Sequence, residues 1–97
     1  MHVISRKKLR EFATQHADAG DWLDTWFYTV NKARWFSIED VHEVYASADV
    51  VGKWTVFNVR GNHYRLITEI NYMKQRVYIR HVLTHAEYDR GRWKRET

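Results

Sequence analysis

The chain has 97 residues and a mass of 11.8 kDa, so a single domain over 1–97 is expected, with no room for a second core. With 44% hydrophobic, 29% charged and 15% aromatic residues it reads as an ordered globular chain; zero Pro, four Gly and zero Cys exclude collagen-like and linker classes, a disulfide framework, a zinc knuckle and a cysteine nucleophile. The net charge of +4 is uneven, because residues 1–51 hold 6 basic and 8 acidic side chains and residues 52–97 hold 10 and 4, which suggests a polyanion-facing half beside a neutral scaffold half.

The opening Met1-His2-Val3-Ile4-Ser5-Arg6-Lys7-Lys8 lacks the apolar core of a signal peptide, and no apolar stretch in the chain is long enough to span a bilayer. A cytoplasmic location is therefore expected. His2-Val3-Ile4 reads as a short strand, and Ser5 as the N-cap of a first helix. Leu9, Phe12, Ala13 and His16 recur at helical spacing. Asp18-Ala19-Gly20-Asp21 breaks that pattern, and Asp21 is placed to cap a second helix. Leu23, Trp26, Phe27 and Val30 form its apolar stripe, with an end expected near Ala33 and Arg34. Ser37 and Asp40 have capping-box spacing before a third, shorter stripe of Ile38, Val41 and Val44 or Tyr45. All three stripes are read as core packing rather than as cofactor sites.

After Asp49 the period changes from helical to alternating. Strands are expected over 54–59, 63–72 and 76–84. Gly61-Asn62 is a tight-hairpin signal, and Met73-Lys74 is a weaker one. Two-residue turns at both places would pair Asn58 with Arg65, Val56 with Ile67, Arg65 with Val82, and Ile67 with Arg80. Period-2 alternation then places Asn58, Arg65 and Arg80 on one sheet face. Phe57, Leu66, Ile70, Val77, Ile79 and Leu83 fall on the other, under the helices. A one-residue slip in the second turn would separate the two arginines. Thr84-His85-Ala86-Glu87 has capping-box spacing, so His85, Tyr88 and Asp89 are expected on a short helix or turn. A basic tail, Arg90-Gly91-Arg92-Trp93-Lys94-Arg95, follows.

The sequence has no glycine-rich phosphate loop, HExxH pair or GxSxG elbow. His81 and His85 lie four apart, but a strand-to-turn context does not hold them as a metal pair, so no metal is expected; His81 is read as a core-face position. What remains is a face with two arginines and an Asn, flanked by His85 and Tyr88. Such a set suits metal-free phosphodiester cleavage in RNA, which supplies its own 2′-hydroxyl nucleophile. Guanidinium groups stabilise the crowded phosphorane through planar two-point contacts. Imidazole titrates near working pH and can move protons. A phenol serves as a base only beside cations, and it can also stack on a nucleobase. Arginines on strands are nevertheless more often solvated or salt-bridged than catalytic.

Two blocks add to this reading. One is Val56-Phe57-Asn58-Val59-Arg60-Gly61-Asn62-His63-Tyr64-Arg65-Leu66, and the other runs from Val77-Tyr78-Ile79-Arg80-His81 through Val82-Leu83-Thr84-His85 to Ala86-Glu87-Tyr88-Asp89. With the opening His2-Val3-Ile4-Ser5-Arg6-Lys7-Lys8-Leu9 they resemble the HigB family of bacterial toxins, a branch of the RelE-like mRNA interferases. The resemblance implies an α+β, RelE-like fold: N-terminal helices packed on a twisted, mainly antiparallel sheet in the order β-α-α-(α)-β-β-β, with a short C-terminal helix. It implies cleavage of mRNA on the translating ribosome, no cofactor, and a HigA-like helix-turn-helix antitoxin as partner. Arg65, Arg80, His85 and Tyr88 match its catalytic positions. Asn58, Arg60, Asn62, Arg90 and Arg92 are the expected RNA contacts. The basic tail departs from the family pattern.

Each residue also has a structural reading. Asn62 can form the turn, Asn58 can satisfy backbone groups at the sheet edge, and Arg65 can pair with Glu69 on its own strand. Asp89 can orient His85 or Arg80, or sit in water, and Glu87 can cap the Thr84 turn. The alternative function is a non-catalytic basic RNA- or protein-binding module, such as an inactive toxin homologue. That reading needs the cations but not His85.

Overall fold

The computed structural model describes residues 1–95. Strand β1 (His2–Ile4) leads into helix α1 (Arg6–Gln15). A 3₁₀ turn (Ala17–Ala19) then joins α1 to α2 (Gly20–Lys32), and α3 (Ile38–Val44) follows. Strands β2 (Asp49–Val51), β3 (Trp54–Val59), β4 (Tyr64–Asn71) and β5 (Arg76–Thr84) form a meander. Helix α4 (His85–Arg90) and a 3₁₀ turn (Arg92–Arg95) complete the described chain. The five strands make one sheet in the order β1-β5-β4-β3-β2, with β1 parallel to β5 and the other neighbours antiparallel. This is the α+β, RelE-like arrangement; β2 is a strand that the alternation pattern did not reveal.

The apolar stripes of α1, α2 and α3 turn inward onto one sheet face. Leu9, Leu23, Trp26, Val30 and Val41 meet Phe57, Val59, Leu66, Val77 and Ile79 there, each 3% exposed or less. Burial of each such side chain contributes roughly 1.5–3 kcal/mol. Trp26 meets Phe57 edge to face at 5.4 Å, and Trp26→Ala is expected to cost about 3–5 kcal/mol. The opposite face carries a second, smaller cluster. Val56, Ile67 and Trp93 are buried there, with Trp54, Leu83 and Tyr88 packed around them.

Register explains where the strand residues point. Asn58 pairs with Arg65 and Val56 with Ile67, as the first turn requires. Along the first half of β5 the two-residue register also holds, with Asn71 opposite Arg76 and Thr68 opposite Ile79. A bulge then inserts one extra residue at Arg80, opposite the junction of Ile67 and Thr68. Beyond it Arg65 faces Leu83 rather than Val82, and Ile67 faces His81 rather than Arg80. The bulge moves Val82 onto the helical core and sends Leu83 to the opposite cluster, away from the helices. His81, opposite Ile67, follows Leu83 onto that open face instead of the core face.

Three expected caps also differ. Ser5 sits in the left-handed region at φ 76° and makes no capping bond. Gly20 opens α2, so Asp21 lies inside its first turn, where its charge complements the helix dipole. Asp40 accepts from the Phe36 N–H at 2.7 Å rather than closing a box with Ser37. Positive φ falls on Arg60 and Gly61 in the first turn and on Gln75 in the second. Asn62 is therefore not the left-handed residue of its turn.

Candidate active site

The sequence around Thr84 fixes a helix at the mouth of the open face. Thr84 Oγ1 accepts from the Glu87 N–H at 3.2 Å, and Glu87 Oε1 accepts from the Thr84 N–H at 3.0 Å, which completes the expected capping box. The bond from the Thr84 backbone holds the Glu87 carboxyl below its ordinary range. Gly91, at φ 70°, ends the helix in the left-handed conformation that a side chain would oppose.

That helix places His85 and Asp89 one turn apart. His85 Nδ1 lies 2.9 Å from Asp89 Oδ2. A carboxylate at Nδ1 holds a proton on that nitrogen and leaves Nε2 as the basic atom. Tyr88, on the inner side of α4, packs flat on Trp93 with ring centroids 5.2 Å apart and planes inclined by 15°. Trp93 Nε1 donates to the Tyr88 carbonyl at 3.0 Å, and its ring meets Trp54 edge to face at 5.3 Å.

Arg65 lies over the Tyr88 ring. Its guanidinium carbon is 5.3 Å from the ring centre, and the residue is only 8% exposed. Nη1 donates to the Tyr64 carbonyl at 3.0 Å and Nη2 donates to Asn62 Oδ1 at 3.1 Å. The hairpin tip thus holds Arg65 through Asn62, and the tip is itself tied down. Asp18 accepts from the Tyr64 hydroxyl at 2.7 Å and from Arg60 Nη1 at 3.0 Å. The Tyr64 hydroxyl first, and Arg60 second, pull the Asp18 carboxyl below its ordinary range. The same bond to Asp18 raises the Tyr64 phenol.

Arg80 has different surroundings. It sits on the bulge, exposed, with Nε 3.3 Å from Glu69 Oε1 and its guanidinium 5.0 Å from the Tyr78 ring centre. Glu69 therefore pairs with Arg80 and not with Arg65. The structure brings together Asn62, Arg65 and Tyr88, with His85 on the same helix as Tyr88. Asn58 lies opposite Arg65 and borders a groove of about 540 Å³ with Trp22, Tyr45 and Asn62. Arg90 and Arg92 border a groove of about 180 Å³ with His81, Glu87 and Trp93. Arg60 is engaged by Asp18 on the helical side. Trp93, Trp54 and Asp18 support the site and had no motif to mark them; the one usable signal was a tryptophan in an otherwise basic tail.

Residues 19–91 match a protein family described as HigB toxin, the RelE-like toxic component of a toxin-antitoxin system. The chain belongs to the HigB family. An mRNA interferase HigB of Escherichia coli O6:H1 is 29% identical over 93 residues, which cover 93% of this chain and 90% of the relative. The mRNA interferase toxin HigB of Escherichia coli K12 is 34% identical over 92 residues, with 92% and 88% covered. An mRNA interferase HigB of Shigella flexneri matches to the same extent. Membership in this family implies an antitoxin partner. Among the described residues no helix is long and apolar enough to cross a membrane, and no three His, Asp or Glu side chains group as metal ligands would.

Proposed function

We propose that the protein is a ribosome-dependent, metal-independent mRNA endonuclease that blocks translation. It works as a single domain in the cytoplasm, and a HigA-like helix-turn-helix antitoxin holds it in check. The observation that carries this reading is the buried Arg65 guanidinium, fixed by Asn62 and Tyr64 and facing the ring of Tyr88 on the helix that also bears His85. A positioned cation beside an acid–base pair meets the needs of 2′-hydroxyl attack on phosphate.

In this mechanism His85 Nε2 accepts the 2′-hydroxyl proton while Asp89 steadies the imidazolium. The 2′-oxygen attacks the adjacent phosphorus in line, and the bond to the 5′-oxygen breaks. Arg65 stabilises the charge that develops on the phosphorane, already in place before the reaction starts. Arg80 leaves Glu69 to add a second guanidinium. Tyr88 protonates the leaving 5′-oxygen, or it serves only as the ring under Arg65 while water supplies that proton. Asn58, Asn62, Arg90 and Arg92 line the path of the RNA, and Arg60 joins them on release from Asp18.

Induction of the toxin without its antitoxin, followed by mapping of mRNA 5′ ends, tests the proposal. Fragments with a 5′-hydroxyl and a 2′,3′-cyclic phosphate or 3′-phosphate are expected. Fragments with a 5′-phosphate would overturn the mechanism, and intact mRNA with soluble toxin would favour the non-catalytic module. Tyr88→Phe separates the two roles of the phenol: near-wild-type cleavage means that the ring only supports Arg65, and a loss as large as that of Tyr88→Ala means proton transfer.

A further inference from the structure

The outer edge of β5 is covered over only part of its length. β1 pairs with Arg76–Tyr78 and then stops, because Ser5 adopts the left-handed region and turns the chain into α1. Among the described residues no strand lies beside the remainder of β5, Arg80–Thr84. Four consecutive residues there, Arg80, His81, Val82 and Leu83, border one groove of about 410 Å³ against α1. Beyond the bulge Val82 turns to the helical core and Leu83 to the opposite face, so what they share with the groove is their backbone edge.

Register identifies the groups on that edge. The His2 N–H donates to the Gln75 carbonyl at 2.7 Å, which puts the odd-numbered residues of early β5 toward β1 and the even-numbered ones toward β4. The bulge at Arg80 adds one residue and reverses the rule. Beyond it Leu83 bonds toward β4, and both the N–H and C=O of Val82 face outward. Thr84 corroborates this, since its N–H is taken by the Glu87 side chain and not by β4. Lys8 Nζ covers the Arg80 carbonyl at 3.1 Å, which leaves the Val82 pair as the open part of the edge.

We infer that this edge is a docking site for an extended, acidic segment of the antitoxin, which adds as a sixth strand beside Val82. A strand edge offers a donor and an acceptor in alternation, which a peptide backbone matches. The phosphates of RNA supply acceptors alone and would leave the Val82 carbonyl facing negative charge. A second copy of this chain would set Lys8 and Arg80 against their own duplicates, and edge cations discourage such pairing. The same cations favour a carboxylate-bearing strand, because Glu11, which also lines the groove, is engaged by Lys7 at 3.7 Å. The inference rests on the protein partner that family membership implies and is independent of the cleavage chemistry at Arg65 and His85.

The test uses the full-length toxin alone and in complex with its antitoxin. Amide hydrogen exchange at Val82 is expected to be fast in the free toxin and strongly slowed in the complex. Val82→Pro removes the outward donor, spares the ladder to β4, and is expected to bind antitoxin about tenfold or more weakly. Its mRNA cleavage without antitoxin is expected to stay at the wild-type level. Equal exchange in both states, or wild-type affinity in folded Val82→Pro, would overturn the inference. Protection in the free toxin that grows with its concentration would give the edge to a second copy and overturn it as well. Should Val82→Pro fail to fold, exchange in the wild-type pair decides alone.

Discussion

Arg65 and Arg80 are the same residue type on adjacent strands, yet the protein treats them in opposite ways. Arg65 is sunk to 8% exposure, bonded to the hairpin tip and laid against a tyrosine ring. Arg80 rides a bulge at the surface and holds an ion pair with Glu69 that solvent reaches freely. Their partners do not overlap. A guanidinium fixed in advance loses little rotamer freedom when a phosphate arrives, and water around it has been displaced already. A surface guanidinium must order itself and give up its carboxylate first, although an exposed pair of this kind holds it only weakly, by about 0–1 kcal/mol. The difference suggests a division of labour in which Arg65 is part of the built site and Arg80 is recruited by the RNA.

His85 shares α4 with Tyr88 and is bonded to Asp89, and its removal is the strongest way to probe the proposed chemistry. His85→Ala is expected to slow cleavage by roughly 10²–10⁴-fold while RNA and antitoxin affinities stay close to wild type, as single-turnover kinetics beside binding titrations would show. An activity loss that merely tracks a fall in melting temperature would point to a structural role at the start of α4. Next comes Arg65→Ala, with an expected loss of about 10²–10³-fold. Arg65→Lys should recover little, because lysine cannot reach Asn62 and a phosphate with one planar fork. Arg80→Ala should cost less than Arg65→Ala, and Arg80→Lys should recover more. Glu69→Gln sharpens the contrast: freeing Arg80 should raise kcat/KM by at most about fivefold and leave Arg65 variants unaffected. Equal losses for the two alanine variants would erase the proposed division.

The smallest effect concerns the anchor behind Arg65. Asp18 has a lowered folded pKa, chiefly through the Tyr64 hydroxyl, so its contribution to stability is present above about pH 4 and fades as pH falls through the lowered value. Tyr64 has a raised one through its bond to Asp18, so its contribution is present below about pH 10 and fades as pH rises through the raised value. The melting-temperature gap between wild type and Asp18→Ala should therefore be widest between those limits and narrow beyond both. A gap that does not change with pH would mean that the hairpin is held by packing alone.

Much of this was legible in the residues because it depends on short-range rules. The helical stripes, the three long strands, the first hairpin register and the Thr84–Glu87 box all follow from spacing and local chemistry. The bulge was not legible, since no residue near Arg80 announces an extra position and the sheet accommodates it through long-range pairing. That single residue moved His81 and Leu83 to the open face and reset every partner beyond Ile79. β2 was missed because Asp49-Val50-Val51 is too short to show alternation and exists by virtue of β3. Ser5, Asp21 and Ser37 show that a capping residue at the right spacing still needs the right backbone entry. The site was half visible: His85, Tyr88 and Arg65 stood in motifs, whereas Asp18 and Trp93 act across distances that sequence does not encode locally.

Trp93 also sets an order of events. Strand β4 is synthesised well before the turn that carries this indole, yet the Tyr88 ring has its floor only when Trp93 folds back beneath it. A nascent chain extended no further than Gly91 already holds Arg65, His85 and Tyr88 but has nothing under the phenol. The platform against which the guanidinium rests is therefore completed only after Arg65, His85 and Tyr88 have been made, and a cell making this chain meets an assembled candidate site only once synthesis has passed Trp93.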